Sequence, residues 1–393
     1  GSSIGRENYF EGTDVRLPFM LTTGDNVVVE AGAKLETVVI KKNGDVAFDE
    51  LVIGKDTVIG PNTHIGLGAK IGASCWIKSL SLVQRGRKVA DATIIAGHET
   101  TEIDSTNEGA RNEHVDDQAV APMGWHFAFL VLSFTPAFMF ILSSVLWIYL
   151  GSALHFSQTG KILALVLLYP IFMTFGQIFV TVCMRPVRHV LLGGRAEPGW
   201  ERYYSKSFLR RQLATSLYHS SLNILNGTVV YSLVIRFVFG ADVDYRSSFT
   251  PHPEEPDLTR SGNCVFVANG VLLRNTSFYT GGIVRYGKVD IGDHSMILDR
   301  AVVDPDTTVK KQVMVAPITS VDADTSHDEG SVLMGNPALN LNRKPGDAEA
   351  EITGEPLVSI FAGMTSQIHS CSQTPIPLFV CEKSRYIWSW NTS

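Results

Sequence analysis

From Ile53 to Ile95 an aliphatic residue returns every six positions, at Ile53, Ile59, Ile65, Ile71, Ile77, Val83, Val89 and Ile95. A helix needs apolar residues about every 3.6 positions and a half-buried strand needs them about every 2. A period of six serves neither. It suits a parallel β-helix, in which short strands wind round one core and each contributes a single inward side chain. Small residues follow at Gly54, Gly60, Gly66 and Gly72, where a missing Cβ is expected to let the chain turn a tight corner. With about 18 residues per three-strand coil, residues 21–98 make about four coils. Val29 and Leu35 keep the same phase, whereas Lys41 and Ala47 break it and predict a bulged or extended coil. Open coil ends call for caps or neighbours.

The series occurs twice. Gly262-Asn263-Cys264-Val265 answers Gly24-Asp25-Asn26-Val27, and Ile291-Gly292 answers Ile53-Gly54. The series continues through Ile297, Val303, Val309, Val315 and Val321 to Val332-Leu333-Met334-Gly335, the counterpart of Ile94-Ile95-Ala96-Gly97. Every pair is 238 residues apart, with Tyr279 and Arg285 at the places of Lys41 and Ala47. Internal duplication is the simplest cause.

What lies between the copies differs in character. Residues 99–122 are polar and acidic, a linker by composition. Residues 124–150 and 161–184 are two apolar runs, each as long as the roughly 20 residues that cross a bilayer. Trp125, Trp147 and Tyr149 sit at the ends of the first run, as an aromatic belt would. Arg185, Arg188, Arg195, Arg202, Lys206, Arg210 and Arg211 follow the second run, which by the positive-inside rule turns both flanks to the cytosol. Residues 207–225 read as an amphipathic helix on the membrane surface, and the β-branched run after Gly227 as strands. The expectation is a mixed all-β and transmembrane α protein, with two left-handed parallel β-helix domains flanking a two-span helical hairpin. It is a multi-pass integral membrane protein, in contact with membrane lipid, whose soluble domains face the cytosol. The divisions are 15–98 (first β-helix), 99–122 (linker), 123–185 (hairpin), 186–240 (membrane-proximal segment), 241–345 (second β-helix) and 346–393 (irregular tail).

Composition narrows the function. Only 18% of residues are charged and the net charge is −6, so nucleic acid, which requires a basic surface, is not the partner. The five cysteines have neither metal-ligand nor paired spacing. No phosphate loop, HExxH helix or GxSxG elbow is present, which argues against a nucleotide or metal enzyme. The chain opens Gly-Ser-Ser without Met, as part of a longer protein would.

Taken in order, a hexapeptide domain, two apolar runs, Gly227-Thr228 leading to Arg236-Phe-Val-Phe-Gly240-Ala241, a second hexapeptide domain and Gly335-Asn336-Pro337-Ala338 resemble one arrangement. It is the membrane-embedded C-terminal region of nonribosomal peptide synthetase-like proteins of the ε-poly-lysine synthetase type. The resemblance covers roughly residues 15–345. It implies an acyltransferase-like module that joins carrier-bound amino acids by amide bonds. No cofactor is bound, and the acyl group arrives as a thioester on the phosphopantetheine of a separate carrier domain. The alternative is a non-catalytic scaffold whose β-helices self-associate. Hexapeptide acyltransferases generally use a His between coils, which makes His64, His98 and His294 the candidate bases. Asn275, Ser277 and Asp290 are the candidate substrate contacts. Family members often carry a Thr-His-Leu-Phe type stretch before the regular coils. Here Ser277 and Val39 stand where its His would be.

Overall fold

The computed structural model describes residues 3–97, 99–102, 121–134, 178–222, 225 and 230–341, with isolated positions between 138 and 176. His98 and the tail 346–393 lie outside the described residues.

Each series winds into a stack of coils. In the first, Leu51–Ile53 pairs in parallel with Lys70–Ile71, and that strand with Lys88–Val89, each step 18 residues on. Val58–Ile59 and His64–Ile65 begin the same progression on two further faces. The second stack repeats this with Val289–Ile291, Met296–Ile297 and Val302–Val303. The periodic aliphatics, from Leu21 to Ile95 and from Val243 to Leu333, fill the two cores. Antiparallel strands close both ends, Glu99–Glu102 on Thr93–Ala96 and Leu339–Asn340 on the strand at Val332–Met334. The first of these falls where composition reads as linker.

The corners are made differently from the expectation. Left-handed residues fall at Asp56, Asn62 and Ser74, two positions beyond Gly54, Gly60 and Gly72. The glycines serve stacking instead: a Cβ on Gly54 would stand 2.4 Å from the Gly72 carbonyl carbon of the next coil. The break in phase at Lys41 and Ala47 is an antiparallel hairpin of Val38–Ile40 with Val46–Phe48. Its counterpart is Thr276–Tyr279 with Ile283–Tyr286.

The expected two-span hairpin is overturned, and with it the multi-pass, cytosol-facing placement. Among the described residues no helix is long and apolar enough to cross a membrane. The helix Met123–Ser133 has 11 residues, about 16 Å of rise against a hydrocarbon core of about 30 Å. Most of residues 135–177 lies outside the described residues. The helical residues 178–192 are tied to protein by polar groups. Thr181 donates to the Ser221 carbonyl at 2.9 Å, and Arg188 pairs with Glu255 and with Asp257.

The surface-helix reading of 207–225 is corrected as well. Lys206–Leu222 is a helix, but its apolar stripe of Phe208, Leu209, Leu213, Leu217 and Tyr218 is buried in protein. Val230–Phe237 is helical rather than extended. Tyr231 and Ile235, one turn apart, are fully buried against the second core.

Candidate functional site

A cavity of about 360 Å³ lies where the two stacks and the long helix Lys206–Leu222 meet. The first stack contributes Glu11 and Glu30, the helix contributes Arg211, Thr215 and His219, and the second-stack loop between Ser248–Phe249 and Thr259–Ser261 contributes Glu254 and Glu255. The second hairpin adds Thr276, Phe278 and Tyr286. No single domain contains this site; it exists because the copies are docked.

The docking contact is ionic. Arg274 is buried and reaches across to Glu30 of the other stack, and its Nη1 lies 2.6 Å from Asp304 Oδ1. Lys78 pairs with Asp322 at 3.0 Å farther along the junction. Asn336 donates to the Ser79 carbonyl at 2.6 Å. Glu30, Lys78, Arg274, Asp304 and Asp322 all occupy the position that Gly54, Gly60, Gly66 and Gly72 occupy in the regular coils. A large charged residue at a position meant for a small one was the readable signal of this interface.

Acidic groups outnumber basic ones at the cavity. Arg188 neutralises Glu255, and Arg211 is engaged by Glu201 at 3.2 Å while lying 4.1 Å over the Tyr286 ring. Among the described residues Arg274 is the cation that faces Glu30, Glu254 and Glu11, and it also pairs with Asp304 beside the cavity. Burial pushes the Glu30 carboxyl up to about 8 against the pull of Arg274, with Asp304 adding to the rise. Burial likewise pushes Glu254 up to about 7, again opposed by Arg274. Glu254 is held in place by the backbone N–H groups of Asn275 and Thr276, which donate to its Oε2 at 2.9 and 3.0 Å.

His219 also lines the cavity. Burial lowers its pKa, which keeps it neutral at pH 7. Its Nε2 lies 3.2 Å from the Pro253 carbonyl oxygen, so this nitrogen carries the proton and Nδ1 is the basic one. The ring stacks on His252 with centroids 5.5 Å apart, and His252 Nδ1 meets the Tyr231 hydroxyl at 2.7 Å.

The candidates read from sequence are distributed otherwise. His64 is on the outer face of the first stack, its Nε2 3.1 Å from Glu36 Oε1. His294 is an exposed turn residue with φ 59°, one of the left-handed corners. Asp290 lies on a strand between Arg260 and Thr308. Ser277 pairs with Arg285 in the hairpin. None of these four lines the cavity. Asn275 is fully buried, and its side chain makes four hydrogen bonds, to Glu255 N, Thr259 Oγ1, Leu258 O and Gly287 O. Its backbone N–H holds Glu254, which gives it a positioning role. His219 and Glu254 were not singled out because they lie outside the hexapeptide series. Among the described residues no group of three His, Cys, Asp or Glu side chains is placed to hold a metal ion.

This chain is similar to a delta-poly-L-ornithine synthetase from Acinetobacter baumannii, with 23% identity over 198 residues. The match covers 50% of this chain and 14% of that protein, so the similarity reaches only a small part of the relative's length. No family model and no solved structure matches the chain.

Proposed function

We propose that the junction cavity is where an acyl group carried as a thioester is transferred to an amine of a cationic diamino acid to form an amide. The observation that carries this is the cluster of buried carboxyl groups, Glu11, Glu30 and Glu254, facing Arg274 beside a neutral imidazole. Burial favours their protonated form, and an ammonium group that enters draws them to the ionised form and pairs with them; a diamino acid such as ornithine, named in the relative, brings one.

The diamino acid is held by one ammonium group, which Glu254 orients, and attacks with its other amine in the neutral form. As that nitrogen bonds to the thioester carbonyl carbon, His219, neutral and with its tautomer set, takes one proton from it through Nδ1, and the nearby acidic side chains stabilise the imidazolium that results. The carbon–sulfur bond then breaks, and the proton passes from His219 to the departing thiolate. The thioester is presented by a separate carrier, as in nonribosomal synthesis.

The test supplies the protein with a carrier loaded with ornithine as thioester and a free diamino acid as acceptor. Wild type forms the dipeptide amide. Glu254→Gln keeps the shape but removes the charge, and raises the acceptor KM at least about tenfold, the loss of one charge-assisted contact of about 1.4 kcal/mol. Unchanged acceptor kinetics in Glu254→Gln, with the fold intact by circular dichroism, overturns the reading. No amide from wild type returns the chain to the scaffold reading.

A further inference from the structure

The two hairpins are the same element in different surroundings. Val38 pairs with Phe48 and Ile40 with Val46; 238 residues on, Thr276 pairs with Tyr286 and Phe278 with Val284. The equivalence extends to the supporting contacts. The Leu17 N–H donates to Thr37 Oγ1 at 3.1 Å, as the Glu255 N–H donates to Asn275 Oδ1 at 3.0 Å. The turns at Pro18–Met20 and Pro256–Leu258 also correspond.

Only the second hairpin is covered. The strand Gly199–Arg202 pairs antiparallel to Ile283–Tyr286 and makes a three-stranded sheet. Tyr203, Phe208 and Leu209 then seal Phe278, Val284 and Tyr286, which are 3%, 0% and 3% exposed. The first hairpin remains two-stranded among the described residues. Its equivalent side chains are still apolar, yet Ile40, Val46 and Phe48 are 66%, 55% and 65% exposed. A protruding two-stranded hairpin with a free edge and apolar side chains is marginal in water and prone to pair.

We propose that the first hairpin is a docking surface for a strand-then-helix segment of the kind formed by residues 199–222, supplied by another unit of the same build. The strand adds antiparallel to Val46–Phe48, and the following helix covers Ile40, Val46 and Phe48 with aromatic and leucine side chains. The occupant's form is read from what covers the second hairpin. A second copy of the present chain is disfavoured, because its 199–222 segment is already spent on its own second hairpin.

The probe is a synthetic peptide of residues 196–222, added to the whole chain while amide hydrogen exchange is followed at 38–48. Exchange at Val46–Phe48 is expected to slow at least about tenfold on saturation. The exposed-site double variant Ile40→Asp/Phe48→Asp, with unchanged circular dichroism, is expected to show no slowing. No protection at 38–48 at saturating peptide, or equal protection in the variant, overturns the proposal. Self-association in sedimentation that the double variant abolishes and the peptide does not compete overturns it too, by making the occupant a second copy.

Discussion

Arg274→Met tests whether the two stacks are held together by a buried ion network. The substitution keeps most of the side-chain stem and removes the charge. It strands Glu30, whose side chain is 6% exposed, and deprives Asp304 of its 2.6 Å contact. Breaking a buried pair from one side costs about 3–5 kcal/mol. The matched control is Lys78→Met, whose pair with Asp322 is 31% and 30% exposed. An exposed pair of that kind contributes about 0–1 kcal/mol. The loss also depends on pH. Up to about pH 8 Glu30 is protonated in the fold and does not miss its partner; above it, the charge is trapped. The Arg274→Met deficit therefore grows as pH rises from about 7 to 9.5, by up to about 1.4 kcal/mol per pH unit for each carboxyl titrating. Urea unfolding followed by circular dichroism at both pH values reads it out. Adding Glu30→Gln to Arg274→Met should recover part of the loss, since a neutral pair no longer buries an orphaned charge. A deficit equal to that of Lys78→Met, or one independent of pH, refutes the reasoning.

Further expectations concern stability, positioning and pH. Gly54→Val places a Cβ 2.4 Å from backbone that cannot yield; it should cost about 3 kcal/mol or more in denaturant unfolding, as a strongly overpacked site does. Asn275→Ala removes four side-chain hydrogen bonds and should cost about 2–4 kcal/mol at roughly 1 kcal/mol each; it should also weaken acceptor binding by loosening Glu254, seen as a higher KM. Wild-type stability should fall as pH rises from the ordinary carboxyl value of 4.5 towards about 8, because folding raises the Glu30 pKa and the protonated form is the one the fold favours. Glu30→Gln should flatten that fall in a pH series of urea midpoints.

The coils were legible because their signal is strictly local. One inward residue per six, as from Ile53 to Ile95, can be counted without knowing what surrounds it. The duplication was legible for the same reason. The two hairpins appeared only as interruptions at Lys41 and Ala47 and their counterparts, since four polar or small residues do not declare a strand pair. The long helix was legible as amphipathic, but its partner was not: Phe208, Leu213 and Leu217 present the same stripe to lipid and to a β-helix face. Met123–Ser133 illustrates the matching error for apolar runs, whose composition meets a membrane's requirement while the described helix is too short for it. The site was missed because it is assembled across the duplication. Glu30 and Arg274 are 244 residues apart, and His219 lies on neither stack. Only the misplaced charges in the small-residue column pointed to it.

The central claim is that chemistry takes place in the junction cavity and uses His219. The most direct measurement is the single-turnover rate of thioester aminolysis for His219→Gln beside the double variant His64→Ala/His294→Ala. The account predicts that His219→Gln slows amide formation by about a hundredfold or more, as loss of a general base does, while the double variant keeps the wild-type rate. Because burial lowers the His219 pKa, the wild-type rate at saturating acceptor should fall only at a pH below that of an ordinary imidazole's midpoint. A full rate in His219→Gln, or a collapse in the double variant with its fold intact, contradicts the account and moves the reaction to the outer face of the coils.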